Sequence, residues 1–155
     1  IPSSGLHSNG YSLVRHVIKK KKLPPKIKKE LLKPTKIYVK EIISLNKRKL
    51  INGCANITGG GLLNNLIRVI PEKLSININL KKIRTTKIFK WLKKNNITDA
   101  EMLSTFNCGV GFCLIINKKN LNKVKKIFSK KYKPYQIGVI SKDAKKIITY
   151  GKLEW

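Results

Sequence analysis

At 155 residues and 41% hydrophobic composition, the chain is long enough for one domain with a real core, and no apolar run in it is long enough to cross a bilayer. A net charge of +28 would ordinarily point to nucleic acid, but the lysines spread over nearly the whole chain, arginine is confined to Arg15, Arg48, Arg68 and Arg84, and aromatics suited to stacking are not prominent. The charge therefore reads as compositional drift, with lysine accompanied by abundant isoleucine and asparagine. Three cysteines, Cys54, Cys108 and Cys113, form an odd set in apolar surroundings without CxxC spacing, which argues against a disulfide framework or a zinc site and suits a reducing cytosol.

The opening stretch Ser3-Ser4-Gly5-Leu6-His7-Ser8-Asn9-Gly10-Tyr11 reads as an anion-binding loop. Its glycines let the backbone turn and approach a ligand, Ser4, Ser8 and Asn9 supply donors, and the helix that follows aims unpaired N–H groups at the same place. The same residues also suit a plain capped turn. Because the chain opens at Ile1, already inside this loop and without a signal-peptide pattern, it is expected to be a piece of a longer protein. Tyr11, Val14 and Ile18 predict a helix over 10–19, with His16 on its exposed side. The lysine run and Pro24-Pro25 predict an exposed loop over 19–29, and Thr35 is expected to start a second helix carrying Ile37, Tyr38, Ile42 and Leu45.

Residues 50–57 read as a buried strand running into Thr58-Gly59-Gly60-Gly61 and a helical pattern from Leu62 to Ile70. Strand, glycine loop and helix in succession make a phosphate cradle, since three residues without Cβ let backbone amides converge on phosphate oxygens. The Gly-Lys-Ser/Thr ending of a Walker loop is missing. Leu74 to Leu80 alternate as a strand, Ile88, Phe89 and Leu92 mark a helix, and Thr98-Asp99-Ala100-Glu101 is a capping box that accounts for Glu101 without catalysis. Asn107, Gly109 and Gly111 then precede an apolar strand over 112–116, and Cys108 between them suits an inert buried thiol better than a nucleophile. A basic helix with Leu121, Val124 and Phe128 inward and two strands near 136–140 and 146–150 complete an α+β domain, a mixed β-sheet covered by helices.

Three separated stretches carry a resemblance: residues 3–15, Ile57-Thr58-Gly59-Gly60-Gly61, and residues 101–111, with Pro34-Thr35-Lys36-Ile37-Tyr38-Val39-Lys40 and Phe89-Lys90-Trp91-Leu92 in the same order between them. Together they closely resemble the C-terminal domain of the phosphoribosylformylglycinamidine cyclo-ligase (aminoimidazole ribonucleotide synthetase) family over essentially the whole chain. The resemblance implies an ATP-dependent ligase of purine biosynthesis that closes formylglycinamidine ribonucleotide to aminoimidazole ribonucleotide with release of ADP and phosphate. It implies His7 as the proton-handling or charge-stabilising residue, and Ser4, Ser8, Asn9, Gly10, Thr58, Gly59, Gly60, Gly61 and Asn107 as substrate or phosphate contacts. It further implies that residues 1–155 are the C-terminal substrate and phosphate domain, that ATP and Mg2+ bind mainly on an N-terminal domain absent from this chain, and that the full-length protein is a cytoplasmic homodimer.

Asn56 departs from the pattern, standing where the family usually has a histidine. With only seven acidic residues and no paired-carboxylate motif, the chain shows no metal site of its own and is expected to be inactive alone. Nucleic acid is expected to bind non-specifically at most. The alternative reading is a basic RNA-binding or ribosome-associated domain, with steep salt dependence and indifference to changes at His7. A degraded remnant that folds without catalysing is a third.

Overall fold

The computed structural model describes residues 1–155. Helix α1 spans Tyr11–Lys20, with Val14 and Val17 buried, and leads through the exposed lysines into α2, Pro25–Leu31. A helix stands where a loop is expected, and the reason is local. Pro25 occupies the first turn, where its missing N–H and fixed φ cost nothing, and Ile27 and Leu31 then bury one face. Helix α3, Val39–Lys47, starts four residues later than Thr35, which leaves Ile37 exposed and Tyr38 buried just ahead of the helix.

Strand β1 (Gly53–Asn56), helix α4 (Gly61–Ile67) and strand β2 (Leu74–Asn79) follow. Helices α5 (Lys87–Lys94) and α6 (Asp99–Thr105) come next, and the Thr98 hydroxyl caps α6 by accepting the Glu101 N–H at 3.2 Å. Strand β3 (Phe112–Ile115), helix α7 (Leu121–Ile127) and strands β4 (Gly138–Lys142) and β5 (Lys146–Tyr150) close the chain. The α+β class is as expected, but the strands form two sheets where a single mixed sheet is expected. β1 and β3 make an antiparallel pair, while β2 lies between antiparallel β4 and parallel β5.

The small sheet meets a core on each face. Ala55, Cys113 and Ile115 point into the main core with Leu62, Leu66, Phe89, Met102 and Phe106, whereas Phe112 and Leu114 join a second core built from Ile1, Tyr38, Leu45, Val124 and Phe128. On β2 both Ile76 and its neighbour Ser75 are buried, a break in the expected alternation, because the Ser75 hydroxyl pairs with that of Ser141 across the sheet at 2.7 Å. The opposite face of this larger sheet leaves Val139, Ile148 and Tyr150 partly exposed, so helices do not cover it completely. No helix is long and apolar enough to cross a membrane.

Candidate functional site

Three stretches far apart in sequence meet at the end of α6. The opening loop is tied to the 105–111 loop by a Ser3 N–H to Gly109 C=O bond of 2.9 Å, an antiparallel bridge between Pro2 and Val110, and the Asn107 side chain. That amide is fully buried. It donates to the carbonyls of Gly5 (2.9 Å) and Leu6 (3.1 Å), and its oxygen accepts the Gly109 N–H at 2.9 Å. The glycine loop joins from the other side through an Ile57 N–H to Gly111 C=O bond of 3.1 Å.

Both helix starts rest on the same turn. Gly10 has φ 75° and packs flat on Phe106, so that a side chain there would collide with the ring. Gly61 lies against the backbone of Leu103 and Ser104. The N–H groups of Tyr11, Ser12 and Leu13 at the start of α1 take no partner within the protein, nor do those of Gly59, Gly60, Leu62 and Leu63 around the start of α4. Ten residues of aligned peptide dipoles in α1 add positive potential at its N-terminus. The surface is thus rich in donors.

The sequence candidates divide into those that frame this surface and those left free on it. Ser4 frames it: its hydroxyl donates to the Pro34 carbonyl (2.7 Å) and accepts the Lys36 N–H (3.1 Å). Thr58 donates to Asn65 at 3.2 Å, and Asn107 has both amide atoms engaged. Ser8, by contrast, is exposed, Asn9 is half-buried, and neither side chain has a hydrogen-bond partner within the protein. Asn65 is the residue that sequence reasoning missed. It is buried in α4, and its amide donates to the carbonyls of Thr58 (3.2 Å), Gly59 (3.1 Å) and Gly61 (2.7 Å), which holds the glycine loop open. The signal available was a carboxamide on the apolar face of a short helix, four residues after the last glycine.

His7 is buried at 7% exposure with φ 59°, beside Gly111 and 6.1 Å from the Tyr38 ring. Its Nε2 accepts the Ser4 N–H at 3.1 Å, which places the proton of the neutral ring on Nδ1. Burial pushes its pKa below the ordinary 6.5. With the folded pKa depressed, the unfolded chain binds more protons in the window just below pH 6.5, so this contribution to stability is complete above that value and lost as pH falls through the window toward the folded pKa. His7→Gln is expected to flatten that part of the stability profile, measured by urea midpoints between pH 5 and 7.5, on either side of the ordinary 6.5. An unchanged slope would assign the pH dependence to another group.

Cys108 has φ 49°, is fully buried, donates its thiol to the Met102 carbonyl at 3.3 Å and has its pKa pushed up to about 12 by burial. It is an inert thiol, as expected. The acidic residues lie apart. Lys36 pairs with Glu41 (2.8 Å), Lys93 with Asp99 (2.5 Å), Lys145 with Glu72 (2.9 Å) and Lys146 with Asp143 (2.6 Å), while Glu30 accepts the Ile88 N–H at 2.9 Å. No three His, Cys, Asp or Glu side chains come together in this chain.

Fold and site together define an α+β domain that presents two glycine-started helix N-termini on one donor-rich surface. The chain belongs to the family described as AIR synthase related protein, C-terminal domain, which it matches over residues 1–151. It is similar to the phosphoribosylformylglycinamidine cyclo-ligases of Streptococcus pneumoniae strains Taiwan19F-14 and Hungary19A-6, at 40% identity over 158 residues covering 96% of this chain and 46% of each relative. The chain therefore spans about half the length of the curated relatives it matches. The RNA-binding alternative finds no support in these relationships, and the structure offers a reason. Tyr150 is the one aromatic among the exposed large hydrophobic residues, while Tyr38, Tyr132 and Tyr135 stack against Lys36, Lys131 and Arg84.

Proposed function

We propose that residues 1–155 are the C-terminal substrate and phosphate domain of a cytoplasmic, homodimeric phosphoribosylformylglycinamidine cyclo-ligase, the enzyme that closes formylglycinamidine ribonucleotide to aminoimidazole ribonucleotide with ADP and phosphate as by-products. ATP supplies the phosphoryl group that turns the formyl oxygen into a leaving group. The remaining work is positioning and charge neutralisation, and this chain has residues suited to both.

Backbone amides at the starts of α1 and α4, with Ser8 and Asn9 at the loop tip, bind the anionic phosphate of the ribonucleotide or the phosphoryl group as it leaves. Asn65 and Asn107 keep those amides in place without touching the ligand. His7, neutral and with Nε2 occupied by the Ser4 N–H, offers an Nδ1 proton and stabilises charge as a donor. The large positive charge draws anionic nucleotides toward the surface at low salt and attracts nucleic acid only non-specifically. ATP and Mg2+ are placed mainly on the other half of the full-length enzyme, and the isolated chain does not turn over.

The observation that carries this reading is the convergence of the three motif loops on the end of α6, with amides at the starts of α1 and α4 unpaired. Calorimetric titration of formylglycinamidine ribonucleotide into the chain tests it. Saturable binding is expected at physiological salt, weakened by about tenfold or more in a Ser8→Ala, Asn9→Ala double variant whose thermal midpoint is unchanged, since each hydrogen bond lost to a charged group is worth about 1.5–3 kcal/mol. Binding that ignores both substitutions and disappears on adding salt would reject the site.

A further inference from the structure

Two open strand edges in this fold face one cavity. On β3, the Ile57 N–H to Gly111 C=O bond sets the parity: the Gly111 carbonyl and the backbone groups of Cys113 and Ile115 point toward β1, and those of Phe112, Leu114 and Ile116 point to the opposite edge. On β4, the Asn79 N–H to Ile137 C=O bond (2.8 Å) turns Ile137, Val139 and Ser141 toward β2 and leaves Gly138 and Ile140 facing outward. The cavity between these edges measures about 380 Å³, and its walls include residues 113–116 of one and 136–140 of the other. Fourteen of its 18 lining residues are hydrophobic, so the outward main-chain groups of two strands border an otherwise apolar space, the Gly138 carbonyl already accepting the Gln136 side-chain amide at 3.2 Å.

Ile1 stands at the mouth of this cavity and is already paired as a strand residue. Its nitrogen donates to the Phe112 carbonyl at 2.8 Å, its carbonyl accepts the N–H groups of Gly111 (3.0 Å) and Phe112 (3.5 Å), and Pro2 continues the antiparallel pairing against Val110. Residues joined to the Ile1 nitrogen would run antiparallel to β3, along its open edge past Leu114 and Ile116. An amino group at this position sits only 6% exposed among apolar side chains, a poor place for a charge and an ordinary one for a peptide N–H.

We infer that the cavity is a slot for one β-strand, supplied by the segment joined to the nitrogen of Ile1, and that this strand unites the two sheets in the order β1, β3, inserted strand, β4, β2, β5. The inference rests on the proposal that residues 1–155 are one part of a longer enzyme. The inserted strand is apolar on both faces, because the side chains of β3 alternate between the two cores and leave its neighbour no solvent face. Open edges on both sides supply the main-chain hydrogen bonds, as when a free sheet edge takes up an added strand.

Amide hydrogen exchange tests this without any reference to catalysis. The 155-residue chain is compared with the same chain carrying Val-Ile-Val-Ile-Val ahead of Ile1, with a more soluble Thr-Val-Thr-Val-Thr version, and with a version whose extension has proline at alternate positions. The N–H groups of Leu114, Ile116, Gly138 and Ile140 are expected to exchange about a hundredfold more slowly with either of the first two extensions and no more slowly with the proline version. Equal exchange in all four chains would overturn the inference. So would protection in the unextended chain that rises with its own concentration, which would make a second copy the occupant, or protection at β3 without β4. A failure of ribonucleotide binding with these protections intact would reject the proposed function and leave the slot standing.

Discussion

Gly61→Ala is expected to destabilise the domain by about 3–4 kcal/mol and to abolish ribonucleotide binding with it. Two costs add at this position. Gly61 has φ 65°, a left-handed conformation that costs an L-residue roughly 1–2 kcal/mol. An added methyl would also run into the Leu103 carbonyl oxygen and lie 2.8 Å from the Ser104 carbonyl carbon, both backbone atoms of α6 that cannot rotate away, and such overpacking costs about 1–3 kcal/mol. The relief available is for α4 to move off α6, which carries the glycine loop away from the opening loop. Gly59→Ala is the internal control, because nothing lies within 4 Å of its missing Cβ and its φ is ordinary. Urea unfolding of the two variants should separate them clearly. A Gly61 variant within about 1 kcal/mol of the parent would mean that the α4 and α6 contact is not what positions the loop.

Asn107 carries the second large effect. Replacing it by alanine leaves the carbonyls of Gly5 and Leu6 and the N–H of Gly109 without their partner at a fully buried site, and each unsatisfied group costs about 1–3 kcal/mol. A loss of about 4 kcal/mol is expected. Asn107→Asp is the sharper experiment because it preserves shape. An ionised carboxylate would face two carbonyl oxygens with no proton to offer, so the variant is expected to be as unstable as alanine at neutral pH. Burial raises the pKa of such an acid in the folded state, and the folded state then binds the extra proton. Stability is therefore expected to recover as pH falls, the reverse of the His7 effect in the parent chain. An aspartate variant as stable as the parent at pH 7.5 would show that the amide does not hold the two loops together.

What sequence made legible follows from how local each cause is. The cap at Thr98, the face of α5 and the succession of β1, glycine loop and α4 are written within a few neighbouring residues, and all are present. Helix α2 was not read because two prolines and a lysine run mask a first-turn position where proline is harmless. The division into two sheets escaped for a different reason: strand order depends on which edges meet in space, and β3 and β4 look alike as short apolar runs. The site itself was half legible. Its glycines and hydroxyls mark the loops, but Asn107 reaches residues 102 and 101 positions away and Asn65 binds three carbonyls, and no spacing along the chain announces either. Ser4 and Thr58, read as ligand contacts, also hydrogen-bond within the protein.

The central claim is that three separated loops make one anion site on this domain, and amide chemical-shift mapping with formylglycinamidine ribonucleotide tests it most directly. The N–H resonances of Ser8 to Leu13 and of Gly59 to Leu63 are expected to move together along one binding curve, with those of the lysines in α1 and α2 unaffected at physiological salt. Shifts confined to one loop, or spread over the exposed lysines and erased by salt, would contradict the account.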